Sequence, residues 1–136
     1  MSRVAIVVLV TFGSLRALLG GAVISRFEAE PGLNKVTLRW TTAAESNLKG
    51  FEIERGLDGK SFQAIVFVEA AGNSSSPRDY AYEDRTVFKS TGNTYYYRLK
   101  LVDFDGSFAY YDKVVSVSPQ ISSVRHTWGS IKAMFR

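Results

Sequence analysis

The chain has 136 residues, room for one domain with short ends, and its 46% hydrophobic and 22% charged residues exclude a disordered chain. It has no cysteine and one histidine, which excludes a disulfide framework, thiolate metal sites and a histidine-cluster zinc site. The net charge of +4 comes from the ends: Arg3, Arg16, Lys113, Arg125, Lys132 and Arg136 account for six of the 17 basic residues, leaving 11 against 13 acids in 23–112, and nucleic acid is not expected as a partner.

Residues 1–22 read as an export signal. Arg3 supplies a positive start, Val4 to Val10 an apolar run, and Gly20, Gly21 and Ala22 a small-residue cleavage zone. Arg16 interrupts the apolar stretch and argues against a spanning helix. A retained anchor is the alternative, and membrane contact is expected only in that case.

From Val23 the chain is a run of short strands and turns. Val23 to Glu30 alternates loosely until Pro31-Gly32. Lys35 to Thr42 alternates cleanly, with Val36, Leu38 and Trp40 on one side. Phe51 and Ile53 point inward from the next strand, with Glu52 and Glu54 outward beside Arg39 and Lys100. Asp58-Gly59 is a turn, Phe62 to Ala70 an apolar strand, Gly72 to Pro77 a loop, and Tyr80 to Glu83 a short strand. Thr94 to Asp103 is the longest strand, and Asp105-Gly106 turns it into Phe108 to Val117 as a hairpin. Seven strands without helical periodicity predict an all-β, seven-stranded antiparallel β-sandwich over 23–118.

The tail, 119–136, is basic. Trp128, Ile131, Met134 and Phe135 recur at helical spacing, with Lys132 and Arg136 among them. A short amphipathic helix covering one end of the domain is expected, or a docking tail built from Trp128, Ile131, Lys132, Phe135 and Arg136.

The search for chemistry yields little. His126 stands alone in the tail, so neither a Ser-His-Asp triad nor a metal cluster forms around it. Glu83-Asp84 and Asp103-Phe104-Asp105 are read as structural acids, the latter as turn stabilisers. No phosphate loop is present, and no cofactor or catalytic residue is assigned. The expectation is a chain that is not an enzyme. Alternation puts Tyr95 and Tyr97 on one side and Tyr96 on the other, and Tyr96 with Tyr110 or Tyr111 is the candidate exposed aromatic strip.

Two segments carry a family resemblance. Val36-Thr37-Leu38-Arg39-Trp40 resembles the second strand of fibronectin type III domains, and Tyr95-Tyr96-Tyr97-Arg98-Leu99-Lys100-Leu101-Val102-Asp103 the sixth. The resemblance implies an immunoglobulin-like sandwich in which Trp40 lies between the sheets and Tyr95 closes a corner on nearby backbone. Trp40 to Asn47, Gly50 to Arg55, Asp58 to Phe62 and Tyr96 to Gly106 are also similar to modules of large secreted Bacteroidetes proteins that often precede a type IX sorting domain. That similarity implies an extracellular or envelope setting. The expected function is a secreted or cell-surface binding or spacer module meeting protein or carbohydrate. The alternative is a self-associating subunit of a filament or surface layer.

Overall fold

The computed structural model describes residues 21–87 and 94–119. The expected leader, all but its last two residues, and the expected C-terminal helix lie outside the described residues. Within them the chain is all-β, with eight strands in two antiparallel sheets. The smaller sheet holds β1 (Ala22–Gly32), β2 (Lys35–Glu45) and β5 (Arg78–Asp84), in the order β1-β2-β5. The larger holds β3 (Leu48–Gly56), β4 (Gln63–Glu69), β6 (Tyr95–Asp103), β7 (Phe108–Tyr110) and β8 (Val115–Val117). Its order is β4-β3-β6-β7, and β8 also pairs with β6.

Two expectations need correction. The last expected strand is two: β7 pairs with 100–102 and β8 with 95–97, and the exposed residues Asp112 and Lys113 leave the ladder between them. Aspartate and lysine are poor strand formers, which fits the break. The first strand does not stop at Pro31-Gly32, because Pro31 pairs with Val36 and Gly32 with Lys35. Strand β1 is an edge, where a missing N–H costs no ladder bond on its open side.

Alternation sorts the side chains as the sequence predicts. Phe27, Val36, Leu38 and Trp40 from the small sheet are fully buried, as are Phe51, Ile53, Tyr97 and Leu99 from the large one. They form one core. At its centre Trp40 stacks on Tyr80 at 5.7 Å and meets Phe51 edge-on at 5.4 Å, joining the sheets through aromatic contact. The Tyr95 hydroxyl donates to the Val87 carbonyl at 3.1 Å, tying the strand to the segment before it.

A buried carboxylate knots the two sheets. Asp84, at the end of β5, is 1% exposed. It accepts hydrogen bonds from Arg55 Nη1 and Tyr97 Oη, both at 2.7 Å, and from the Thr86 hydroxyl and N–H. Burial pushes the Asp84 carboxyl up, but bonds from Thr86, Tyr97 and Arg55 outweigh it and hold it below its ordinary value. Burial, then the hydrogen bond to Asp84 and its charge, pushes the Tyr97 phenol well above its usual range. For Arg55, burial works against the charged form, and Asp84 more than restores it. Nothing local in the sequence marks Asp84, since its partners lie on β3 and β6.

Candidate functional site

The site is the outward face of the larger sheet, and register builds it. The Asp105-Gly106 turn sets the β6–β7 pairing: Asp105 Oδ1 accepts the Ser107 N–H at 2.8 Å, and Gly106 takes φ 87°. Phe108 then falls opposite Val102, and Tyr110 opposite Lys100. On the other side of β6, Glu54 pairs with Arg98, and Glu52 with Lys100. Phe67 on β4 stands opposite Glu52. Its ring lies over Gly50, where a β-carbon would meet Phe67 Cζ at 2.5 Å. Glycine there lets the ring lie down on the sheet.

Cations and rings interleave across this face. The Arg98 guanidinium sits between Phe62 at 4.3 Å and Tyr110 at 4.1 Å from the ring centroids. Its Nε and Nη2 both reach Glu54 Oε1 at 2.7 Å. Lys100 Nζ lies 4.1 Å from the Phe108 centroid, and Phe108 meets Tyr110 edge-on at 5.8 Å. Burial and hydrogen bonding to Glu54 push the Glu52 carboxyl above its ordinary value, with Lys100 opposing. Phe108 stays 55% exposed, Tyr110 44% and Phe67 41%.

Two acids and two bases at the centre make the face neutral, so it does not favour a polyanion. It offers exposed ring surface with fixed donors and acceptors beside it. That combination can stack on the C–H face of a sugar and bond its hydroxyls, or anchor an apolar protein segment.

The structure divides the expected aromatic strip. Tyr110 is central to the face. Tyr96 shares it but pairs with Ser116, half-buried beneath Gly59. Tyr111 turns inward and meets Phe27 edge-on at 6.3 Å. Glu54 takes Arg98, while Arg39 pairs with Glu30 on the other sheet at 3.4 Å and so does not neighbour Glu52 or Glu54. Lys100 does stand opposite Glu52, as the sequence suggests, but the sequence did not single out Arg98, Phe62, Phe67 or Phe108. Their signal was present in the shared parity of 96, 98 and 100 and of 108 and 110. Trp128, Ile131, Lys132, Phe135 and Arg136 lie outside the described residues.

No protein-family model matches the chain, and no curated protein matches it. Among solved structures, the crystal structure of beta-1,2-glucanase from Parabacteroides distasonis matches 76% of this chain with a TM-score of 0.54 and 19% sequence identity. The match spans 14% of the glucanase chain. At that identity the likeness carries the fold alone. It nevertheless overturns the expectation that set this chain apart from enzymes, because the same fold occurs inside the chain of one.

Proposed function

We propose that the chain is a fibronectin type III-like β-sandwich module, exported to the cell surface or beyond, that contacts carbohydrate or protein through the outward face of β4-β3-β6-β7. Three features support the sandwich class: a three-stranded sheet against a larger one, Trp40 buried between them, and the Tyr95 hydroxyl bond to Val87. The observation that carries the binding role is the exposed aromatic surface of this face: Phe108 and Tyr110 in edge contact beside Lys100 and Arg98, and Phe67 on the opposite edge strand, each more than two-fifths exposed. Rings left in water beside fixed charges suit contact with a partner better than they suit stability.

The test is binding by the full chain. A beta-1,2-linked glucan is the first ligand to try, because the fold recurs in a glucanase; a glycan array and surface-protein pull-down follow. The expected result is measurable affinity that falls at least tenfold in the double variant F108A/Y110A, with a melting temperature close to wild type. Binding that the double variant leaves intact would remove this face from consideration.

A further inference from the structure

We infer that the chain is cut between Gly20 and Gly21, and that the new Gly21 ammonium is held by Asp103. The inference rests on the proposed export of the chain. It starts from a carboxylate oxygen without a partner. Asp103 Oδ2 accepts the Ser107 hydroxyl at 3.1 Å, but Oδ1 is buried and has no hydrogen-bond partner among the described residues. A buried carboxylate oxygen is costly unless a donor or cation reaches it.

Gly21 lies against that oxygen. A β-carbon built on Gly21 would come within 2.0 Å of Oδ1, and its φ of 67° also favours glycine. The residue is fastened in place. Its carbonyl accepts the Ser46 N–H at 2.7 Å, and Ala22 beside it pairs with Glu45 and is buried. A cut after Ala22, which the small-residue run also allows, would remove both contacts.

The surroundings call for a cation. The cleft at this end, about 630 Å³, is lined among the described residues by three acids, Glu45, Asp103 and Asp105, and by no basic side chain. Glu45 is supplied by Thr42, Tyr80 and the Gly72 N–H. Asp105 is supplied by Ser107. Asp103 Oδ1 alone is left over. Hydrolysis of the Gly20–Gly21 bond by a leader peptidase consumes one water and yields a Gly20 carboxylate and a Gly21 amine, which is protonated at neutral pH. A peptide N–H is one donor fixed in the amide plane. An ammonium has three donors and a charge, and can turn one of them to Oδ1.

The experiment exports the full chain from a bacterial host and reads the intact mass and N-terminal sequence of the product. Gly21 is expected first. Asp103→Asn is then compared in the cut chain and in the uncut chain made in the cytoplasm. It is expected to lower the melting temperature by about 5 °C in the cut form and by less than a third of that in the uncut form. A product beginning elsewhere overturns the inference and leaves export standing, whereas an uncut product retained in the cell overturns both. Equal effects of D103N in the two forms overturn the capture of the ammonium. A readout without change at Asp103 is one leucine added ahead of Gly21 in the cut chain. It is expected to lower the melting temperature by a similar amount, and no change counts against the inference.

Discussion

Two neighbouring rungs of the β3–β6 ladder use the same chemistry to opposite ends. Arg55 faces Tyr97 on the inward side, and Glu54 faces Arg98 on the outward side, one residue along. Each site combines an arginine, a tyrosine and a carboxylate: Arg55, Tyr97 and Asp84 inside, Arg98, Tyr110 and Glu54 outside. Inside, every strong acceptor of Asp84 is engaged and the tyrosine is fully buried. Outside, the ion pair is closed but the ring remains 44% exposed. Residue type therefore does not separate a structural tie from a contact surface. What separates them is whether the aromatic surface is used up by the fold.

The largest expected effect lies at the inner site. Asp84→Ala leaves Arg55 and Tyr97 without their acceptor between the sheets, and removing one partner of a buried pair costs about 3 kcal/mol or more. Thermal unfolding is expected to fall by more than about 10 °C. A drop of only a degree or two would mean that the inner site is no more structural than the outer one.

Acid sharpens the same contrast. The folded Asp84 carboxyl is held below its ordinary value of 3.8. A depressed carboxylate contributes stability that is complete above the unfolded value and is lost as pH falls through the folded one. The stability gap between wild type and Asp84→Asn is therefore expected to be constant above about pH 5 and to close below pH 3.8. Denaturant melts of both proteins from pH 7 to pH 2.5 measure it. A gap unchanged at the acid end would show that the Asp84 charge does not contribute.

The legibility of the two sites in the sequence follows from their range. Val36, Leu38 and Trp40 announce a buried stripe because strand alternation is local. The outer face was half legible. Parity puts Tyr96, Arg98 and Lys100 together, but which ring falls beside which cation depends on register, which the turn at Asp105-Gly106 sets. The choice between Tyr110 and Tyr111 depends on the same register: Tyr110 falls outward opposite Lys100, and Tyr111, the next residue, takes the other side against Phe27. The inner knot was not legible at all. Asp84 reads as one more acid at a strand end until topology brings Arg55 and Tyr97, 29 and 13 residues away, to its oxygens.

At the outer site the expected losses are smaller. Arg98→Ala leaves the Glu54 carboxylate, only 8% exposed, without its partner, and costs about 1–3 kcal/mol. Arg98→Lys keeps the charge but not the planar fork between Phe62 and Tyr110, and an intermediate loss is expected in denaturant melts. If lysine performed as well as arginine, the fork geometry would be irrelevant and charge alone would align the rings.

The smallest effect on stability is expected at Phe108. Its ring is 55% exposed and rests on Lys100 and the edge of Tyr110, so Phe108→Ala should change stability by no more than about 0.5 kcal/mol. The same substitution at Phe51, fully buried against Trp40 and Tyr80, is expected to cost about 3–5 kcal/mol. Measured side by side, the two place a value on what each ring does for the fold. A loss at Phe108 approaching that at Phe51 would make the outer rings part of the scaffold and leave nothing for a partner to use. A near-zero loss leaves an exposed phenylalanine that folding does not require, as the proposed contact face needs.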